Sequence, residues 1–109
     1  VNKFPAAGHI YEANFNDGLI VVHLEFDADG RAMTFTDAGS KMPGMKPSET
    51  VRYTATEIRP LVYLVHWQEQ DRMTVTHLED FERGVVHSRI TAPTGDFFAL
   101  SGTLKKIPA

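Results

Sequence analysis

Leu61-Val62-Tyr63-Leu64-Val65-His66-Trp67-Gln68-Glu69, then Gln70-Asp71-Arg72, then Met73-Thr74-Val75-Thr76-His77-Leu78-Glu79-Asp80-Phe81, reads as strand, turn, strand. Both runs are rich in β-branched and aromatic residues, which suit a pleated surface. Side chains alternate across a strand, so Tyr63, Val65, Trp67 and Glu69 share one face, and Val62, Leu64, His66 and Gln68 share the other. Two registers are open. With Asp71-Arg72 as the turn, Glu69 lies opposite Thr74 and Trp67 opposite Thr76, and Leu78 and Asp80 join that face. A slip of one residue brings in Val75, His77 and Glu79 instead.

The same grammar extends in both directions. Asn16-Asp17-Gly18, Asp27-Ala28-Asp29-Gly30, Glu82-Arg83-Gly84 and Pro93-Thr94-Gly95-Asp96 are polar turn signals between β-prone runs. Eight strands are expected, at roughly 8–15, 19–27, 31–37, 49–58, 61–69, 72–81, 84–92 and 96–106. No apolar run has helical spacing. The reading is a single all-β domain over residues 1–109, an antiparallel up-and-down barrel, with a two-sheet sandwich as the alternative. The widest gap, 38–48, holds Gly39, Pro43, Gly44 and Pro47 and is expected to cross or flank a barrel mouth, with Met42 and Met45 packed on the body or forming a lid.

The 109 residues are 42% hydrophobic and 23% charged, with a net charge of −3, an ordinary globular composition. No basic stripe points to nucleic acid, and no long apolar run or basic amphipathic segment points to a membrane. Cysteine is absent, which excludes disulfides and thiolate chemistry. The first residues lack the pattern of a signal peptide, so the cytoplasm is the expected location.

The candidate site residues lie on the strands. Glu69 beside the aromatic wall of Trp67 and Tyr63 has the makings of a general acid or base, because desolvation raises a carboxyl pKa toward neutrality. Thr76 is placed opposite Trp67 by the first register, and Arg89 presents a fork that suits a carboxylate. The expected ligand-binding set is therefore Tyr63, Trp67, Thr76 and Arg89. The five histidines fall singly, with no metal-binding motif. His23 with Glu25 and His77 with Glu79 have same-face spacing, but no metal site is expected. There is no Gly-x-Ser-x-Gly elbow and no phosphate loop, and no cofactor is expected.

The stretches Arg59-Pro60-Leu61-Val62-Tyr63-Leu64-Val65-His66-Trp67-Gln68-Glu69 and Val75-Thr76-His77-Leu78-Glu79-Asp80-Phe81-Glu82-Arg83-Gly84, with Gly8-His9-Ile10-Tyr11 and Leu100-Ser101-Gly102-Thr103-Leu104, resemble the family named after molybdenum cofactor biosynthesis protein F. The resemblance spans nearly the whole chain and implies a calycin-like (lipocalin-like) barrel without a defined reaction. More distantly, Ile10-Tyr11-Glu12-Ala13 and Trp67-Gln68-Glu69 are similar to segments of phenolic acid decarboxylases, also calycin barrels. That similarity implies a cofactor-free lyase or isomerase in which Tyr11 is a donor and Glu69 the general acid/base. The match is partial: Ala13 stands where those enzymes have a second tyrosine and Thr36 where they have an arginine, which removes most of their carboxylate clamp.

Three functions follow as expectations. The first is a barrel that binds one small, partly aromatic or apolar molecule. The second is the cofactor-free enzyme using Glu69 and Tyr11, and the third is an interaction module with a filled interior. In the third, outward apolar residues such as Leu64 or Val86 would form a homodimer patch.

Overall fold

The polar turn signals fall at chain reversals, and the runs between them pair in sequence. A computed structural model describes residues 3–108. Its eight strands are β1 (Ile10–Phe15), β2 (Ile20–Phe26), β3 (Ala32–Asp37), β4 (Ser48–Arg59), β5 (Val62–Gln68), β6 (Thr74–Asp80), β7 (Val85–Thr91) and β8 (Phe97–Ile107). Each pairs antiparallel with its sequence neighbours, and β8 pairs with β1, so the sheet is a closed up-and-down barrel. Closure leaves no exposed sheet edge for another chain to pair with.

Alternation decides which residues fill the barrel. Ala13 and Phe15 of β1, Leu24 and Phe26 of β2, Met33 of β3, Val51 and Tyr53 of β4, Val65 and Trp67 of β5 and Leu100 and Leu104 of β8 are all buried in one core. Opposite-parity positions such as Arg52, His66 and His87 are exposed. Val86, one of the two residues expected in a dimer patch, is fully buried in this core; only Leu64 faces outward, half-buried. The reason is strand parity, since β7 turns Val86 and Ser88 inward together.

The hairpin between β5 and β6 settles the open register. Gln68 pairs with Thr74, Trp67 with Val75, Val65 with His77 and Tyr63 with Glu79. Glu69 N–H donates to Met73 O at 2.8 Å and Arg72 N–H to Glu69 O at 2.9 Å, so the loop is Gln70-Asp71-Arg72, one residue longer than an Asp71-Arg72 turn. Arg72 sits in the left-handed region at φ 77°, the third position of a three-residue hairpin that glycine usually takes. The extra residue shifts β6 by one, so Val75, His77 and Glu79 face inward.

The two barrel ends differ. At the end where β1 begins, the N-terminal segment folds in, with Phe4 and Ala6 buried. The Phe4 ring packs edge-on against Phe26, Tyr63 and Phe81, with centroids 5.1–5.5 Å apart. This aromatic plug closes the barrel, and Tyr63 O–H donates to Lys3 O at 3.0 Å across it. At the other end the 38–47 loop folds back on the β1–β2 turn. Lys41 N–H donates to Gly18 O and Met42 N–H to Leu19 O, which carries Met45 and Lys46 to the rim.

Candidate functional site

Above the plug the barrel is not filled. A cavity of about 250 Å³ is lined by residues from every strand but β4, together with Gly44, Met45 and Lys46 of the long loop. Its walls are largely apolar, including Phe15, Leu24, Phe35, Trp67, Val75 and Leu100. This is the usual chemistry of a small-molecule pocket, where a few polar groups set orientation. A second hollow of about 390 Å³ lies at the plugged end. It is lined from β4, β5, Gly30 and the N-terminal segment, the plug residues Phe4 and Tyr63 among them, and shares no lining residue with the first cavity.

The polar groups of the cavity form two tiers. The deep tier is on β6 and β7. His77 Nδ1 lies 3.0 Å from Glu79 Oε2, and both side chains are buried. The His77 ring packs edge-on against Trp67, centroids 4.8 Å apart, and at a tilt against Phe15 at 5.6 Å. With Nδ1 engaged, Nε2 is the ring nitrogen left for the cavity that His77 lines. Ser88, the cross-strand partner of His77, lines the same cavity and is fully buried. Its Oγ has no hydrogen-bond partner, and neither do Glu79 Oε1 and the Tyr53 hydroxyl below. Such unpaired buried groups are uncommon in folded proteins.

The second tier is at the rim. Lys46 Nζ lies 2.5 Å from Glu69 Oε1, 2.9 Å from Asp71 Oδ2 and 3.5 Å from Glu49 Oε1. Trp67 Nε1–H donates to the other Glu69 oxygen at 3.1 Å, so both oxygens of this carboxyl are engaged. Burial works against the Lys46 ammonium, but its hydrogen bonds to Glu69 and Asp71 outweigh that and hold its pKa well above the ordinary lysine value. The hydrogen bond from Lys46, helped by Met73 N–H, holds the Asp71 carboxyl below the usual carboxylate range. One cation thus faces three carboxyl groups at the mouth.

The expected site residues separate on this frame. Trp67 and Glu69 line the cavity. Tyr63 points inward but belongs to the plug, among Phe4 and Phe81, and does not line it. Tyr11 is also at the plugged end, edge-on to Phe81 at 5.2 Å, while Glu69 stands at the opposite rim. Burial, with the nearby Glu79 carboxyl, pushes the Tyr11 phenol pKa up. Tyr11 and Glu69 are therefore not brought together. Thr76 and Arg89 require correction: neither is in the cavity. They are cross-strand partners on the outer wall. The one-residue shift at Arg72 turns Thr76 outward, and β7 parity puts Ser88 inside and leaves Arg89 exposed, its Nη1 donating to the Ser88 carbonyl at 3.0 Å. Sequence reasoning missed Lys46 and Ser88. Lys46 is in the loop expected at the mouth, but nothing local says where its ammonium goes, and Ser88 is legible only once β7 parity is known. Among the described residues no three His, Cys, Asp or Glu side chains converge as metal ligands.

The fold and this interior define a closed eight-stranded β-barrel with a mostly apolar central cavity. The family model described as MoaF-like matches residues 7–105, and the chain belongs to the MoaF-like family. A crystal structure from Burkholderia vietnamiensis, described as a "putative beta-lactamase", is similar at 32% identity and a TM-score of 0.88, over 98% of this chain and 100% of that one. No curated protein matches the sequence.

Proposed function

We propose that this barrel is a small-molecule-binding protein whose cavity takes one small, largely apolar, partly aromatic ligand. The observation that carries the reading is the cavity of about 250 Å³, with Trp67 in its wall. An engineered apolar cavity of roughly 150 Å³ binds benzene, so this interior has room for a substituted ring. The polar outer wall, with Arg52, His66, His87 and Arg89 exposed, suits work in water and not in lipid. A pterin ring, the kind of molecule that the family's name brings to mind, belongs in the same search.

A second reading, a cofactor-free lyase or isomerase, is favoured by one observation: Glu69 is buried at the cavity rim and not in bulk water. Both its oxygens are held, so it would have to release Lys46 to exchange a proton with a ligand, and Tyr11 is too far along the barrel to assist. A hydrolase of the kind named for the Burkholderia protein has residue types here in Ser88, His77 and Glu79. However, Ser88 Oγ makes no hydrogen bond to His77, so the nucleophile is not activated.

The test is a thermal-shift screen of phenols, small aromatic acids and pterins on the native protein, Trp67→Ala and Glu69→Gln. A ligand at about 100 times its dissociation constant adds roughly 2.7 kcal/mol of stability. A hit lost in Trp67→Ala supports binding in the cavity, and turnover of that hit lost in Glu69→Gln would promote the lyase reading. Absence of any hit in the screen counts against the binding function.

A further inference from the structure

We propose that the cavity selects an uncharged aromatic alcohol of the phenol class, which enters ring and hydroxyl first and is read at the deep end by His77 and Ser88. The inference rests on the small-molecule reading of the cavity and narrows it to a ligand chemistry and a subsite.

Three observations converge. The first is unused hydrogen-bonding capacity at depth. His77 is fixed by Glu79 through Nδ1, so Nε2 is its free function, and Ser88 carries a fully buried hydroxyl without a partner on the adjacent strand. Folded proteins seldom leave such groups unpaired, and a site that does so is built to pair them with something that binds. A hydroxyl both donates and accepts, so it can serve an imidazole nitrogen in either tautomer and the serine oxygen together, after a rotation of the Ser88 side chain about χ1. The second is the wall between the two tiers. Trp67 packs edge-on and Phe15 at a tilt against His77, and all three line the cavity, which gives a flat ring an aromatic surface to pack on.

The third is the charge at the mouth. Glu49, Glu69 and Asp71 surround one ammonium within 3.5 Å. The lysine is already spent on them, so it offers no clamp for a carboxylate, and their surplus negative charge repels one. An anionic ligand would also lose its hydration in a cavity whose lysine, Lys46, is already paired with carboxyl groups. The subsite therefore discriminates against the aromatic acids that an arginine clamp would hold. That clamp is absent, because Arg89 is on the outer wall.

The probes are p-cresol, toluene and p-toluate, three molecules of similar size that differ in one group. They are titrated into the full chain by calorimetry or by Trp67 fluorescence. The expected order is p-cresol tighter than toluene by about three- to tenfold, the worth of one net hydrogen bond, and p-toluate weaker than p-cresol by at least about tenfold. Ser88→Ala should reduce the p-cresol advantage and leave toluene within twofold. His77→Gln should do the same. Because that variant strands Glu79, the ring nitrogens of native His77 are also followed by long-range 1H–15N NMR, and p-cresol should shift Nε2 where toluene does not. If toluene binds as well as p-cresol and Ser88→Ala changes neither, the subsite inference is overturned while the cavity reading stands. Tightest binding by p-toluate overturns it as well. If none of the three binds, the phenol inference is overturned, and a hit or no hit in the wider screen decides separately whether the cavity binds a ligand at all.

Discussion

Replacing Ser88 with alanine should stabilise the ligand-free protein. Ser88 is fully buried and no protein group pairs with its hydroxyl, so folding gives that group no protein hydrogen bond in return for its burial. Relieving an unsatisfied buried hydroxyl is worth about 1–3 kcal/mol. The substitution removes one oxygen-sized volume, for which the cavity penalty is on the order of 0.3 kcal/mol. The net expectation is a gain near the low end, about 1 kcal/mol, because the neighbouring cavity gives the wall some freedom to adjust. For a chain of this length that corresponds to a rise in Tm of about 4 °C. Urea unfolding followed by the single tryptophan, Trp67, reads the change directly, and the m-value should stay constant so that the midpoint alone carries it. A variant that is less stable than the native protein by about 0.5 kcal/mol or more refutes the reasoning. The hydroxyl would then be satisfied inside the barrel, and the capacity assigned to a ligand would not exist. The combined signature, higher stability with weaker p-cresol binding, is hard to obtain from a merely structural serine.

Other consequences concern the plug, the closure of the barrel and the rim. All three tyrosines, Tyr11, Tyr53 and Tyr63, have phenol pKa values raised chiefly by burial, and Tyr53 is pushed up to about 12. A raised folded-state pKa gives stability that is present below pH 10 and lost as pH climbs through the folded value, so the protein should weaken between pH 10 and 12. Tyr53 alone accounts for about 2–3 kcal/mol of that loss, and absorbance at 295 nm should show no tyrosine ionising normally before unfolding. Gly102→Ala should destabilise by about 3 kcal/mol or abolish folding, because a Cβ there would lie 1.8 Å from the Asn14 carbonyl oxygen where β8 closes onto β1. Urea denaturation and circular dichroism decide this, and a stable Gly102→Ala would show that the β1–β8 seam can relax. Lys46→Ala leaves three carboxyl groups facing one another, so Asp71 should titrate closer to its ordinary range by NMR. The stability that the depressed Asp71 pKa gives above that range, which native protein loses only on acidification, should be missing already at neutral pH.

The amino-acid sequence by itself determined that this chain makes eight short antiparallel strands in up-and-down order. The signals are local: β-branched and aromatic runs, period-two alternation, and turns whose Asn, Asp and Gly accept left-handed backbone. It also marked Trp67 and Glu69 as a pair on one face, and the 38–48 loop as one that flanks a mouth. Tertiary structure alone decided what that face meets. Register depends on Arg72 taking a conformation that its residue type does not advertise, and one added loop residue exchanged Thr76 for His77 inside the barrel. Closure decided the rest, since only a completed barrel has two ends. It placed Tyr11 in the plug and Glu69 at the rim, carried Lys46 across to meet Glu69 and Asp71, and left the Ser88 hydroxyl buried without a partner. Such long-range meetings are fixed by the geometry of the whole sheet and by the packing of Phe4 and Trp67, and no short window of sequence contains that information.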